Sequence, residues 1–215
     1  MKNQDKKIIK NLLKLLPKQK ERWCVEFGAW DGIAGSNIRN LILNQRFYGI
    51  FIEGNPKRYA LLAKNYQSHK RAFCYNAYVG FQTKNSRSLD NILKKTEIPL
   101  NFDFLSVDVD GNDYHIWKSL TRYRPKVICI EINPSIPKDL IFIQEKNSQT
   151  HHGTSLAAMD QLGQAKGYQL VAASEINAFF VDRHYLKRFR NKKWPQFQGA
   201  KVTYLFAGLD GTVFL

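Results

Sequence analysis

The sequence has few cysteines, few acidic residues and no long apolar run. Its three cysteines, Cys24, Cys74 and Cys129, are an odd number without metal-ligand spacing, and each lies in an apolar stretch, so we expect buried, reduced thiols. No apolar run approaches the length that spans a bilayer. The N-terminal segment lacks the apolar core and the small-residue cleavage site of a signal peptide. These absences exclude a disulfide scaffold and a transmembrane protein, and they favour a soluble, cytoplasmic one.

The shortage of acid leaves a large positive charge. The 215 residues contain 33 Lys and Arg but only 18 Asp and Glu, which gives a formal net charge of +15. Such an excess favours an anionic partner, such as nucleic acid, an anionic membrane surface, or a phosphorylated or nucleotide-linked substrate. The basic residues are spread along the chain, with modest clusters at the N-terminus and in residues 183–194. Scattered charge favours a role in solubility over a nucleic-acid groove.

Strand-sized and helix-sized segments alternate through most of the chain. This alternation predicts right-handed crossovers and a parallel sheet covered on both faces, an α/β fold of the doubly wound, Rossmann-like kind. Two further strand patterns, 168–174 and 177–183, are too close together for a crossover and predict an antiparallel hairpin. The five earlier strand patterns cover residues 23–28, 48–54, 71–79, 102–110 and 126–133.

The sequence predicts one domain with two basic extensions. We assign a basic N-terminal helix to residues 1–20, a core to residues 22–182 and a C-terminal extension to residues 183–215. In residues 5–16, apolar residues share one helical face with lysines between them, and Pro17 limits the helix. Such a helix either lies on a membrane surface or packs on its own domain, and base rates favour packing.

The stretch FDFLSVDVDGNDYHIW, residues 102–117, concentrates acid around one apolar strand. Asp113 is placed to cap the following helix, and Asp103, which precedes the strand proper, is expected to be solvated. Asp108 ends the strand and Asp110 follows in the loop, so these two carboxylates are candidates for chemistry.

A candidate cofactor site follows the first two strands. Open parallel sheets bind ligands beyond the carboxyl ends of their strands. The first strand runs into VEFGAWDGIAGSN, in which Glu26 precedes the turn glycines Gly28 and Gly32, and the second strand ends in Glu53. Glu53 is placed to accept hydrogen bonds from ribose hydroxyls. The turn is not G-x-G-x-x-G, and an acid at position 26 disfavours a pyrophosphate but suits the ammonium group of S-adenosylmethionine.

These motifs, with IEGNP and VICIEINP, resemble the class I S-adenosylmethionine-dependent methyltransferases, especially the FkbM-like group that O-methylates sugars and related hydroxyl compounds. The resemblance implies a seven-stranded sheet with a terminal antiparallel strand. It assigns the methionine end of the cofactor to the turn after the first strand, the ribose to the end of the second, and the adenine to the end of the third. The cofactor residues so implied are Glu26, Gly28, Ala29, Gly32, Glu53, Ala77, Tyr78 and Asp108.

The ends of the fourth and fifth strands predict a catalytic group beside the cofactor's methyl group. Asp108, Glu131 and Asn133 form an all-oxygen set that suits Mg²⁺ or Mn²⁺. Such a cation would lower the pKa of a sugar hydroxyl, and Asp110 or His115 would take its proton. The alternative is metal-free catalysis, in which Asp108 or Asp110 is itself the base.

The predicted function is S-adenosylmethionine-dependent O-methylation of a hydroxyl on a sugar, a glycan or a related small molecule. Two alternatives stay open: methylation of RNA ribose, motivated by the net charge, and a cofactor-binding module without catalysis. The tetrapeptide typical of amino-group methylation, Asn or Asp followed by Pro-Pro and an aromatic residue, is absent after the fourth strand, where DVDG stands. That absence counts against N-methylation of a base.

Overall fold

A computed structural model describes residues 3–82, 86–109, 111–146 and 152–197, together with the backbone of the two short strands that follow. The main strands are β1 (Trp23–Phe27), β2 (Tyr48–Glu53), β3 (Ala72–Asn76), β4 (Phe104–Val107), β5 (Val127–Glu131), β6 (Tyr168–Ala173) and β7 (Asn177–Asp182). The helices are α1 (Asn3–Leu15), α2 (Arg39–Gln45), α3 (Pro56–Tyr66), α4 (Leu89–Leu93), α5 (Asp113–Ser119) and α6 (Leu156–Ala165), followed by a 3₁₀ helix (Arg183–Arg188). Strands β8 (Phe206–Ala207) and β9 (Val213–Phe214) pair antiparallel with each other.

The seven main strands form one sheet in the order β3-β2-β1-β4-β5-β7-β6 within the described residues. The pairs from β3 to β5 are all parallel, and β7 lies antiparallel between β5 and β6. This arrangement confirms the predicted α/β fold. The reversed strand is second from the edge of the sheet, because the short turn between β6 and β7 allows only a hairpin. The strand order reverses beside β1, so a crevice opens above β1 and β4.

Helices cover both faces of the sheet and bury two apolar clusters. Helices α4, α5 and α6 pack on one cluster, while α1, α2, α3 and the 3₁₀ helix pack on the other. The apolar face of α1 is buried, as base rates favoured: Ile8, Ile9, Leu12, Leu13 and Leu16 are at most 5% exposed. No helix among the described residues is long and apolar enough to cross a membrane.

The starts of α3 and α2 differ in how they are capped: a side chain caps α3, and no side chain caps α2. Asn55 caps α3 by accepting from the N–H groups of Lys57 and Arg58, and Pro56 occupies the first turn. Residues 36–38 are not helical, and α2 begins only at Arg39. The residues before it are bonded to the end of β1 instead, as described below for the site.

Asp103 is buried rather than solvated, so that expectation is wrong. Its side chain and that of Lys126 are each 1% exposed, and the Lys126 ammonium lies 2.9 Å from a carboxylate oxygen of Asp103. The other carboxylate oxygen accepts from the N–H of Trp23, and Lys126 also donates to the Gln19 side chain. The pair joins the N-terminal ends of β1, β4 and β5. Breaking such a buried pair by removing one partner typically costs about 3–5 kcal/mol.

Candidate active site

A cavity of about 640 Å³ opens at the carboxyl ends of β1, β2 and β4 and beside the residues that follow β3. It is the crevice expected where the strand order reverses. Seven of the eight predicted cofactor residues line it: Glu26, Gly28, Ala29, Glu53, Ala77, Tyr78 and Asp108.

Gly28 lines this cavity and packs closely on the end of β4. Its φ is +72°, a left-handed conformation that favours glycine, and a Cβ at this position would overlap the carbonyl oxygen of Asp108. The same Cβ would lie 3.3 Å from a methyl group of Val109. The turn after β1 therefore packs directly on the end of β4 and leaves the space above it open for a ligand.

Glu26 is a buried acid at the inner end of the cavity. One carboxylate oxygen accepts from the Ser36 hydroxyl at 2.6 Å, and the other accepts from the N–H of Asn37 at 2.6 Å. Burial raises the pKa of Glu26 to about 7, and the charge of Asp108 adds to the rise, although the two hydrogen bonds oppose it. A ligand ammonium group would stabilise the ionised form of this side chain, since an opposite charge favours the carboxylate.

Glu53 connects the ends of β1 and β2 and faces the same cavity. Its carboxylate oxygens accept from the N–H groups of Trp30 and Asn55, at 2.8 and 2.7 Å. Each oxygen of an ionised carboxylate has a second acceptor site. Glu53 can therefore hold the turn in place and still accept hydrogen bonds from two ribose hydroxyls.

Two exposed aromatic rings line the cavity. Trp30 has a φ of +49° and is 50% exposed, and the Arg58 guanidinium lies 5.0 Å from its ring centre. Tyr78 is 61% exposed, and its ring covers Gly54. A left-handed tryptophan is a strained conformation of the kind concentrated at functional sites. These rings offer flat apolar surface for an adenine base.

Three groups in this cavity carried no usable signal in the sequence. Arg58, Ser36 and Asn112 all line it, and their spacing matches no motif. The side-chain oxygen of Asn112 is buried without a hydrogen-bond partner in the described part of the chain. An unpaired acceptor beside the cavity suits a ligand that brings a hydrogen-bond donor.

Gly32, the eighth predicted cofactor residue, is not among the residues lining the cavity. Its N–H donates to the Ala29 carbonyl, and its own carbonyl accepts from the Tyr66 hydroxyl at 2.6 Å. The side chains of Tyr66 and Leu62 pack where a Cβ would stand. Gly32 thus packs the turn against α3 without lining the cavity.

The loop after β4 is closed by Asp113, the first residue of α5. Its two carboxylate oxygens accept from the N–H groups of Val109 and Gly111, at 3.0 and 2.9 Å. Asp113, which was predicted to cap α5, therefore bonds to the N–H groups of the loop before that helix. This closure presents Asp108 at the cavity, whereas Asp110 lies outside the described residues.

A second, smaller cavity of about 220 Å³ lies at the ends of β4 and β5. Its polar lining includes Asp113, Glu131, Asn133 and His152, and Gly111 connects it to the loop that borders the first cavity. The residue before His152, His151, lies outside the described residues.

The family model of the methyltransferase FkbM domain matches residues 34–170. The chain belongs to the FkbM methyltransferase family. It is a class I S-adenosylmethionine-dependent methyltransferase, as the resemblance implied. The larger cavity brings together two acids and two exposed rings, Glu26, Glu53, Trp30 and Tyr78, which could hold such a cofactor.

Solved structures share the fold of this FkbM domain. The CurJ carbon methyltransferase is 10% identical with a TM-score of 0.56, over 82% of this chain and 53% of that chain. The citrinin polyketide synthase CMeT domain is 12% identical with a TM-score of 0.54, over 82% and 50%. The N-terminal domain of EvdMO1, solved in the presence of SAH and D-fucose, is 10% identical with a TM-score of 0.51, over 84% and 83%. This chain thus spans about half of the first two, and a search of curated protein sequences gives no match.

The predicted metal set of this FkbM domain is not brought together. Asp108 lines the larger cavity, whereas Glu131 and Asn133 line the smaller one. The Asn133 side-chain oxygen accepts from the N–H and hydroxyl of Ser135, and its amide donates to the His152 carbonyl. In the described ranges no three His, Cys, Asp or Glu side chains are grouped so that they could hold a metal ion. The described residues therefore do not support the predicted metal set, and Asn133 shapes the loop after β5.

His115, the predicted alternative base, lies against the loop that follows β5. Its Nε2 is 2.7 Å from the Gln144 carbonyl oxygen, so Nε2 carries the proton. The ring is flanked by Phe81 and Tyr114, and His115 is not among the residues that line either cavity. The Gln144 side chain also accepts from the Gly153 N–H. His115 therefore has a structural role in this arrangement, and its role as a base stays a prediction.

Proposed function

We propose that this FkbM domain transfers the methyl group of S-adenosylmethionine to a hydroxyl of a sugar, a glycan or a related small molecule. The observation that carries the proposal is the smaller cavity at the ends of β4 and β5. Its lining is polar: Glu131 and His152 lie beside Asp113 and Asn133, whose side chains also bond to the surrounding loops. Such a lining suits a polyhydroxyl ring better than a flat nucleobase, because no aromatic side chain other than this imidazole is among the residues described there.

In this proposal the larger cavity holds the cofactor and orients it along the sheet edge. Glu26 holds the ammonium group and Glu53 the ribose hydroxyls, while Trp30 and Tyr78 flank the adenine. When bound, S-adenosylmethionine supplies an electrophilic methyl group on a positively charged sulfur. The loop between β4 and α5 borders both cavities, so the methyl group and the acceptor hydroxyl would meet above it.

Asp108 is the proposed general base. It lies at the carboxyl end of β4 and lines the cofactor cavity, and the loop that follows it borders the acceptor cavity. Its carboxylate would accept the proton of the acceptor hydroxyl as the oxygen–methyl bond forms and the sulfur–methyl bond breaks, which leaves a neutral thioether. Asp110, the other predicted base, follows in the same loop outside the described residues.

The solved structures support the fold and do not choose the acceptor atom. EvdMO1 was solved with SAH and D-fucose, while CurJ is a carbon methyltransferase. At about one identical residue in ten, neither assigns its substrate to this chain. The polarity of the smaller cavity is what favours a hydroxyl-rich acceptor.

The test is a transfer assay with labelled S-adenosylmethionine and a panel of free sugars, nucleotide sugars, glycans and RNA. We expect a sugar or glycan product whose new methyl group is on oxygen, as established by NMR. Asp108→Asn should lower turnover by roughly 100-fold or more, the usual contribution of a general base, with SAH binding retained. Glu97→Gln, an exposed acid elsewhere, is the matched control and should keep full activity.

Three outcomes would contradict the proposal. Methyl transfer to RNA ribose would favour the nucleic-acid alternative. A product methylated on carbon or nitrogen would exclude O-methylation. SAH binding without transfer to any member of the panel would favour a non-catalytic cofactor-binding module.

A further inference from the structure

Most of the chain's net positive charge comes from two segments near opposite ends of the sequence. Residues 3–22 and 183–197 contain thirteen basic and two acidic residues, a net +11 of the chain's +15. One of the two acids, Asp5, is buried and accepts from the Asn177 side chain. Residues 183–197 contain no acid at all.

The basic side chains of these segments point to solvent. Within the described part of the chain none of them forms an ion pair. Twelve are exposed: Lys6, Lys7, Lys10, Lys14, Lys18, Lys20, Arg183, Lys187, Arg188, Arg190, Lys192 and Lys193. We call these twelve residues the basic face.

The fold brings the two segments to the same side of the sheet. The apolar side of α1 and Phe189 belong to one buried cluster, and Tyr185, Leu186 and Trp194 pack against it. Helix α1 lies over β5, and the 3₁₀ helix contacts β7 and β6, which follow β5 in the sheet. The basic face is therefore a single surface formed from segments about 160 residues apart.

A group of exposed apolar side chains lies near the carboxyl end of β5. Leu140 and Ile141 are 53% and 54% exposed, and Phe142, Ile143 and Ile176 are also exposed. We call these five residues the apolar edge. Their charged neighbours in the sequence are Lys138, Asp139, Glu145, Lys146 and Glu175, a net charge of −1.

Backbone and side-chain hydrogen bonds place the apolar edge close to the start of α1. Ile132 donates to the carbonyl of Ile176, and the next residue, Asn133, donates to Thr154, which pairs with Ile143. Asn177, next to Ile176, bonds to Asp5 at the start of α1, where the lysines of the basic face begin. The apolar edge thus lies near the start of α1, at the carboxyl end of β5 and the amino end of the antiparallel strand β7.

We propose that this combined surface docks the protein on an anionic lipid membrane. The basic face would lie against anionic headgroups, and the apolar edge would enter the interface between headgroups and acyl chains. Reversible attachment of this kind is strengthened when an electrostatic and an apolar contribution act together. The inference goes beyond the proposed function and does not depend on it.

Nucleic acid fits this surface less well. Single-stranded RNA is held largely by stacking on exposed aromatic rings, and the rings of Tyr185, Phe189 and Trp194 pack against the buried cluster instead. An exposed apolar edge has no use against a phosphate backbone, which is bound by charge. A membrane accounts for both parts of the surface.

The test is cosedimentation with vesicles of phosphatidylcholine, with and without phosphatidylserine. We expect binding only to vesicles that contain phosphatidylserine, and release by added salt. In the basic-face triple variant Lys187→Glu, Lys192→Glu, Lys193→Glu, binding should fall by roughly 100-fold, from about 1 kcal/mol per lost cation.

The matched control is a second triple variant, Lys94→Glu, Lys95→Glu, Lys118→Glu, directly after α4 and within α5 on the opposite face. It changes the net charge equally and should bind vesicles within a few-fold of the wild type. A third variant, Leu140→Ser with Ile141→Ser, should lose roughly tenfold or more in vesicle binding, because apolar area no longer leaves water. SAH binding by all variants shows that they are folded.

Equal losses in both triple variants would assign the attraction to net charge alone and overturn the proposal. So would an absence of binding to phosphatidylserine vesicles. Single-stranded RNA and duplex DNA of equal length are tested in parallel. Binding to either that is tighter than vesicle binding, lost in the basic-face variant and unchanged by the serine substitutions, would assign the surface to nucleic acid.

Discussion

Replacing Glu26 by glutamine should change how the stability of the ligand-free protein depends on pH. Burial raises the pKa of Glu26 from 4.5 to about 7 in the folded protein. Between these values the folded protein holds a proton that the unfolded chain has released. The free energy of unfolding therefore decreases as pH rises through this window, and the contribution is fully present only below about pH 4.5.

The size of the effect follows from the shift. A rise of about 2.5 pKa units, at 1.36 kcal/mol per unit, corresponds to roughly 3 kcal/mol lost between pH 4.5 and 7. Glu26→Gln cannot titrate, and its amide can still bond to Ser36 and Asn37. We expect the variant to gain roughly 3 kcal/mol relative to the wild type from pH 4.5 to 8.

Urea unfolding of both proteins across this pH range measures the difference directly. Glu97→Gln, at an exposed position, is the control and should follow the wild-type curve. If Glu26→Gln and the wild type show the same dependence on pH, then Glu26 does not hold a proton in the folded state and the reasoning from its burial is wrong.

Three further predictions concern the cofactor site, the buried ion pair and the metal. Glu53→Ala should weaken SAH binding, measured by calorimetry, by about 1.5–3 kcal/mol, the value of charge-assisted hydrogen bonds. If Glu53→Ala binds SAH as tightly as the control Glu97→Ala does, Glu53 does not bind the ribose. Lys126→Met should lower the free energy of unfolding by about 3–5 kcal/mol, because it leaves Asp103 buried without its cation. Lys94→Met, at an exposed position, is the control, and an equal loss in both variants would show that the pair is not important for stability. Methyl transfer should persist in EDTA, since the predicted ligands line different cavities, and activity that is lost in EDTA and restored by Mg²⁺ would reinstate the metal.

Local patterns in the sequence determined the order of the strands and helices. Runs of apolar residues and capping residues such as Ser88 and Ser155 act over a few positions, so they can be read without knowing the fold. The topology of parallel sheets then places strand ends together, and for this reason Glu26, Gly28 and Glu53 were predicted at one site. The family resemblance extended this reasoning to the cofactor.

Side-chain partners that are distant in the sequence were decided only by the tertiary structure. Asp103 was expected in solvent, but the sheet brings Lys126 to it at 2.9 Å. Asn133 was expected to bind a metal, but its loop folds back so that Ser135 and His152 satisfy its side chain. Composition and spacing contain no information about these contacts, because each depends on which surfaces the crossovers bring together.

The same distinction applies to the charge. Along the sequence the basic residues are scattered, with modest clusters at the N-terminus and in residues 183–194, and that pattern favoured solubility. In space both clusters pack on one face of the sheet, because β7 returns antiparallel beside β5 and delivers the C-terminal segment to the side that α1 covers. The sequence determined how much charge the protein has, and the tertiary structure decided where that charge acts, since only packing between distant segments concentrates it on a single surface.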